Sequence, residues 1–438
     1  MLLRFKIKNF LSFYEETVFD MFPNIKREKF SHHIYSDMEV PLLKQAAIYG
    51  ANGSGKSNFI TALAFLREFT TRENFLKAID LDDYIFQLTK EKSQSITFEI
   101  EFFNKNRYFI YCVDISKKEI YEKLSVSGLN KGNDNVIFER KGTELTSSYS
   151  QVNEAVGVLL QQNSEVSILP LNNRFPIIIN NDIAKVFDWF KDKLVFVSIK
   201  STIPILINIM SQNSKLLNFA NTIFEKIGVG VNALKIKNSS FEKWISNEKN
   251  AGSLKKLVES NQHQENFNIS EMVDDRNTFR ILIQKGSRVV QEFMFEQTGQ
   301  SGYHKEMKIT SQSDGTVRIL TLIPALYGAM YKGQIIFIDE IDNSIHPNLM
   351  FELLKFFANN ESNGQLIFTT HTTNLLDQQE LVRPDEIWFT EKSDGNTSMY
   401  SLNDFKLHHT KNIENGYLDG RYGGVPIIEE FSAMYEKV

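Results

Sequence analysis

The sequence predicts an α/β protein with a mixed central sheet, an antiparallel β subdomain and a largely helical insertion, on three observations. The glycine-rich turn Gly50-Ala51-Asn52-Gly53-Ser54-Gly55-Lys56-Ser57 stands between the apolar run 46–49 and residues 58–66, whose apolar positions recur at helical spacing. The runs Gln334-Ile335-Ile336-Phe337-Ile338-Asp339-Glu340 and Gln365-Leu366-Ile367-Phe368-Thr369-Thr370-His371 are apolar without alternation and end in polar groups, as strands buried on both faces do. Strict alternation in 96–102 and 108–113, around Asn104-Lys105-Asn106, marks a hairpin with one buried face.

A chain of 438 residues exceeds one ordinary core, and three parts are expected: an N-terminal lobe over 1–145, a mostly helical insertion over 146–275 and a C-terminal lobe over 276–438. With 42% apolar and 24% charged residues the composition is that of a globular protein, and 35 Phe point to large aromatic cores. The single Cys112 excludes an intramolecular disulfide and a Cys-rich metal site. Residues 1–8 alternate charged and apolar groups without a signal-peptide core, and no apolar run spans a bilayer, so no membrane partner and a cytoplasmic location are expected. A net charge of −5 gives no global basic field for nucleic acid. Residues 183–260 nevertheless carry 12 Lys, no Arg and 6 acidic residues, either a solvated face or a polyanion-binding surface.

Taken in order, 3–7 and 16–19 read as short strands, His32 and His33 as part of a surface loop, and the strand before the glycine-rich turn as beginning near Lys44. Gln87 lies in 84–88 as a metal- or water-contacting glutamine or as a plain loop residue. Short strands continue to about Glu144, and 150–260 reads as mostly helical. Residues 261–268 form a polar loop, and strands return at 279–283 and 289–295. Neither a 20–50-residue repeat nor a sustained heptad is present.

The glycine-rich turn matches G-x-x-x-x-G-K-[ST] completely, in the strand-to-helix setting this chemistry needs. Glycines let the backbone curl until several N–H groups face one phosphate, and the helix adds its positive end. Asn52, Gly53, Ser54, Gly55, Lys56, Ser57 and Asn58 are the expected nucleotide-binding residues, with Lys56 on the β/γ-phosphates and Ser57 on Mg²⁺. Asp339 stands at the C-terminal end of a buried strand, where it would hold Mg²⁺ through water, with Glu340 beside it to orient or deprotonate the attacking water. His371 ends the next buried strand, placed to donate to a phosphoryl oxygen. Ser313 and Gly315, in Ser313-Asp314-Gly315-Thr316, open a further apolar helix and form a second candidate anion site, although Ser313 or Asp314 also suits a plain N-cap. ATP and Mg²⁺ are the ligands this set implies.

Together these residues resemble the ABC-type ATPase head shared by RecF, SMC proteins and OLD-family nucleases. The resemblance makes 50–57 the Walker A motif, Asp339-Glu340 the Walker B pair, Asn343-Ser344-Ile345-His346 the D-loop and His371 the switch histidine. Ser313-Asp314-Gly315-Thr316 takes the place of the signature motif, which acts on ATP held by a second subunit, and departs from Ser-Gly-Gly-Gln. Ile7-Lys8-Asn9-Phe10-Leu11-Ser12-Phe13 is similar to the first strand and turn of such heads. Ile48-Tyr49-Gly50, residues 339–347 and 370–376, and the tail Gly416-Tyr417-Leu418-Asp419-Gly420-Arg421-Tyr422-Gly423 resemble stand-alone ATPases of anti-phage abortive-infection systems, of the AbiL, RloA and AriA type.

What the resemblance implies is an ATPase that pairs through its heads as a homodimer or higher homo-oligomer, answers a phage-derived trigger and controls a separately encoded effector or toxin protein. The 46 residues after Lys392 are expected to be too few for the TOPRIM nuclease domain of OLD proteins. The alternative is a RecF- or SMC-like ATPase that binds DNA in repair or maintenance. A transporter's ATPase subunit is a third reading, disfavoured by the large middle segment and the tail.

Overall fold

The computed structural model describes residues 1–90, 95–129, 132–148, 150–171, 181–197, 203–246, 251–260, 267–268, 278–284, 287–377, 381–406 and 412–425. The chain divides into two compact units: Met1–Phe196 with Gly328–Asp342 and Phe351–Val438, and Val197–Tyr327 with Asn343–Met350.

The first unit is built on two sheets. In the central one the strand order is Leu194–Val197, Ile335–Ile338, Gln365–Thr369, Gln45–Gly50, Ile387–Ser393, Asn396–Ser401. The four middle strands are parallel, pairing Ile336 with Leu366, Ile367 with Ala46 and Ala47 with Ile387, and the last strand is antiparallel to its neighbour. Every residue of Gln45–Gly50, Ile335–Ile338 and Gln365–Thr369 is buried, which explains their apolar runs. Parallel strands in register end at one edge of the sheet. The phosphate loop, Asp339 and His371 therefore emerge side by side.

The second sheet is antiparallel, ordered Glu144–Ser147, Asn135–Lys141, Ile120–Val126, Arg107–Ser116, Ser95–Asn104, Leu2–Lys8, Thr17–Asp20. Its central hairpin turns at Lys105 and Asn106, both with positive φ (47° and 63°), the backbone twist a two-residue hairpin loop requires. Helix Lys56–Thr71 packs Phe59 against Phe19 and Phe5 at ring-centroid distances of 5.0 and 6.0 Å, and Phe65 against Phe10 at 5.3 Å. Each ring buried in this way stabilises the fold by about 2 kcal/mol. Gln365 joins the sheets: its Oε1 accepts from Leu2 N at 2.6 Å, and its Nε2 donates to the carbonyls of Leu2 and Leu43 at 3.0 and 3.1 Å.

In the second unit Ser287–Thr298 pairs antiparallel with Val231–Ser240, Phe279–Gln284 and His304–Lys308, over a core of Phe241, Trp244, Ile245, Leu254, Val258, Ile281, Ile283 and Val290.

Several expectations are amended. Between 146 and 275 helices predominate, at Ser150–Gln162, Asn181–Asp188, Ile203–Ser211, Ser214–Ile227 and Ala251–Ser260, but Val231–Ser240 is a ten-residue strand. Its own pattern is weak, with Leu234 buried among exposed polar groups, and its full-length pairing with Ser287–Thr298 decides its conformation. Unit boundaries fall after Phe196 and Tyr327, not at 145 and 275, because Leu160, Ile168, Phe187 and Trp189 belong to the first unit's core. Of the loop expected at 261–268, residues 261–266 lie outside those described, and Phe267–Asn268 is a short strand. His33 is buried, its Nδ1 2.9 Å from Glu386 Oε1, so only His32 has the expected surface position. The partner is 353 residues away, beyond the reach of any spacing rule.

Candidate functional site

The phosphate loop leaves strand Gln45–Gly50 and enters helix Lys56–Thr71 through two glycines of positive φ, Gly53 at 77° and Gly55 at 108°. Their surroundings differ. A Cβ on Gly53 would meet nothing within 4 Å, whereas one on Gly55 would fall on the Thr397 side chain and 2.9 Å from Ser12 Oγ. Gly53→Ala is expected to cost about 1 kcal/mol through conformation alone. Gly55→Ala, which adds overpacking, is expected to cost about 3 kcal/mol. Urea unfolding of the two variants checks the ordering.

The loop is braced from two directions that the motif does not disclose. Ser54 Oγ lies 2.6 Å from Thr390 Oγ1, which donates to Tyr49 O at 3.1 Å. Thr397 Oγ1 lies 2.9 Å from Ser54 O and 2.7 Å from Ser12 Oγ, and Ser12 Oγ accepts from Asn58 Nδ2 at 2.8 Å. Asn58 thus orients the opening turn of the chain, while Asn52, Gly53 and Ser57 are exposed.

Lys56 is buried, and its Nζ donates to Gly50 O at 2.8 Å and Ala51 O at 3.1 Å. Burial pushes its pKa down, opposed by the carboxylates of Asp339, Glu340 and Asp342. Asp339 Oδ1 accepts from Thr369 Oγ1 at 2.6 Å, and that hydroxyl accepts from Glu340 N at 2.7 Å. Glu340 has φ of 48°, a left-handed conformation costly for a side-chain-bearing residue, so the turn around it is strongly constrained. His371 is exposed at the tip of Gln365–Thr369. Its pKa is lowered by partial burial and by Lys56, against the pull of Asp342, Glu340 and Asp339. Lys56, Asp339, Glu340 and His371, remote in sequence, therefore share one electrostatic site.

Gln87 is not joined to this cluster by any hydrogen bond among the described residues: its exposed amide nitrogen donates to Asp82 O at 2.7 Å and Ile85 O at 3.0 Å of its own loop. Ser313 and Gly315 lie in the second unit. Ser313 Oγ accepts from Thr316 N at 3.2 Å at the start of helix Asp314–Tyr331, settling the cap on Ser313 over Asp314. A Cβ on Gly315 would stand 2.9 Å from Ser344 O, so glycine is needed there for the Ser344 backbone to approach.

Sequence reading missed Ser12, Thr369, Thr390, Thr397 and Asp342. Only Thr369 carried a usable signal, as the one hydroxyl inside an apolar strand neighbouring the Asp339 strand. The fit to a magnesium–nucleotide complex is good: a buried ammonium, a loop with two glycines at positive φ and a half-buried Asp339 are present. Among the described residues no group of three or more His, Cys, Asp or Glu forms a metal cage.

A parallel sheet with this loop and this pair of acids defines an α/β P-loop fold. The chain belongs to the family described as "AAA domain, putative AbiEii toxin, Type IV TA system", whose model matches residues 46–377. Among solved structures it is similar to an SMC head bound to the C-terminal winged-helix domain of ScpA, at 14% identity, covering 91% of this chain and 97% of that one with a TM-score of 0.45. It is also similar to the SMC head domain from Thermotoga maritima, at 13% identity, covering 93% and 99% with a TM-score of 0.41. Comparison with curated proteins finds no match. No helix among the described residues is long and apolar enough to cross a membrane.

Proposed function

We propose that this chain binds and hydrolyses ATP, and that the ATP cycle makes it the switch of an anti-phage, abortive-infection system controlling a separate effector protein. The observation that carries the ATPase reading is the parallel register that brings the phosphate loop with Lys56, the Asp339-Glu340 turn and His371 to one sheet edge, where their charges act on one another. Lys56 exchanges the Gly50 and Ala51 carbonyls for phosphate oxygens, and loop N–H groups of 52–58 take the remaining charge. Ser57 and Asp339, with Gln87 through its Oε1, would hold Mg²⁺, which would supply charge neutralisation to the phosphates. Glu340 orients or deprotonates the attacking water, and His371 donates to the γ-phosphate. Ser313 and Gly315 of a second copy close the site, so that ATP favours a homodimer or higher homo-oligomer. The family's toxin–antitoxin description supports the defence role.

The test is twofold. Purified chain should turn over ATP in Mg²⁺ and stop in EDTA. Cells carrying the chain with its neighbouring reading frame should arrest on phage infection and lose that response with Glu340→Gln. Turnover without any infection phenotype would leave the defence role unsupported.

DNA binding is the second reading, favoured by exposed Lys215, Lys226, Lys237, Lys255 and Lys256 in the second unit; Lys235 is already paired with Glu296 and Glu306. Duplex affinity that falls steeply with salt and with Lys→Ala changes at these positions would support it. No binding at low salt would remove it.

A further inference from the structure

The segment that carries His371 is anchored more tightly than a histidine at a strand tip requires. His371 N donates to Asp342 Oδ2 at 3.1 Å, and Thr372 Oγ1 donates to the same oxygen at 3.0 Å. Tyr49 OH donates to Thr372 O at 3.4 Å, and Thr373 Oγ1 donates to Glu414 Oε1 of helix Ile413–Leu418 at 2.7 Å. Asp342 has no role in the chemistry described above. It is a third carboxylate in a site whose phosphate substrate is itself anionic, which calls for a reason.

The geometry supplies one. The turn after Ile335–Ile338 and the turn after Gln365–Thr369 are joined bond by bond. Thr369 Oγ1 spans Asp339 Oδ1 and Glu340 N, Ile341 N donates to Thr369 O at 3.0 Å, and Asp342 then takes His371 N. A displacement of Asp339 or Glu340 is therefore transmitted to the main chain of His371. The other oxygen, Asp342 Oδ1, is buried and has no hydrogen-bond partner among the described residues. Leaving a buried acceptor unmade costs about 1–3 kcal/mol, so the carboxylate is kept for the bonds its first oxygen makes.

We propose that Asp342 is the positioning residue for His371, fixing the histidine's backbone to the turn that bears Asp339 and Glu340. The inference rests on the ATPase reading and deepens it: the water-orienting carboxylate and the imidazole that donates a hydrogen bond to the phosphate move as one body, and misplacing either by about 1 Å costs about a hundredfold in rate.

The test compares kcat, the Kd for a fluorescent ATP analogue and the thermal midpoint for wild type, Asp342→Ala, Asp342→Asn, Thr372→Val, His371→Ala and the Asp342→Ala/His371→Ala double variant. Asp342→Ala should lower kcat by about 10–100-fold with Kd within about threefold of wild type. Asp342→Asn, whose carbonyl oxygen still accepts both bonds, should restore turnover to within about threefold. Thr372→Val, which keeps the carboxylate and loses one bond, should fall between them and guards against an Ala variant that does not fold. In the His371→Ala background Asp342→Ala should cost less than about twofold, because a residue acting through His371 has nothing left to position.

Three results would overturn the inference. Asn as damaging as Ala would make the charge, and hence a cation-holding role, the function of Asp342. Kd weakened tenfold by Ala would do the same. Fully additive losses in the double variant would show independent action. A wild-type chain that binds the analogue without turning over ATP would instead sink the ATPase reading, and this inference with it.

Discussion

Glu340→Gln is expected to lower ATP turnover by about 10²–10⁴-fold, the usual contribution of a positioned acid or base, while ATP affinity stays within about threefold. The substitution is nearly isosteric, and the backbone N–H of residue 340 remains bonded to Thr369 Oγ1 at 2.7 Å, so the turn at φ 48° should survive. What is lost is the carboxylate proposed to orient or deprotonate the attacking water. With hydrolysis blocked, any contact made only with ATP bound persists, and the associated form of the heads accumulates. Steady-state phosphate release and light scattering with and without Mg-ATP check both halves. Turnover at the wild-type rate would remove Glu340 from the reaction.

Lys56→Met is expected to act earlier, weakening ATP binding by about 30–5,000-fold, the range for truncating one partner of a buried charge-assisted contact. Methionine fills most of the lysine stem's volume, so the core beneath the phosphate loop is largely kept. The ammonium is not replaced. The charges of Asp339, Glu340 and Asp342 all act on Lys56, and without its ammonium they are left to oppose an incoming triphosphate. Fluorescence titration with an ATP analogue gives the affinity. Unchanged binding would mean that the triphosphate does not sit at this loop.

Much of the site was legible in the sequence because its signals are local. A phosphate loop is written in eight consecutive residues, and a strand buried on both faces is written in its unbroken apolar run. The parallel register that brings Gly50, Asp339 and His371 to one edge follows from those runs with little further information. What supports the site was not legible, because it is made of short polar side chains meeting across hundreds of residues. Thr397 reaches Ser54 from 343 positions away and Thr390 from 336, and neither threonine differs in sequence from any strand threonine. His33 was misplaced for the same reason: nothing near it in sequence announces Glu386. Val231–Ser240 failed differently, its conformation being set by the partner strand and not by its own pattern. Gln87 was a candidate by position, and its Nε2 donates within its own loop.

The proposed catalytic site is composite, with the Lys56 pocket of one copy closed by the Ser313 segment of another. Mixing two inactive chains tests it most directly. Lys56→Met and Ser313→Arg are each expected to be inactive alone. Randomly paired at equal concentration, half of the symmetric dimers are mixed and each holds one intact site, so turnover should return to about a quarter of the wild-type value. If the mixture stays as inactive as its components under conditions where subunits exchange, Lys56 and Ser313 do not act across two copies.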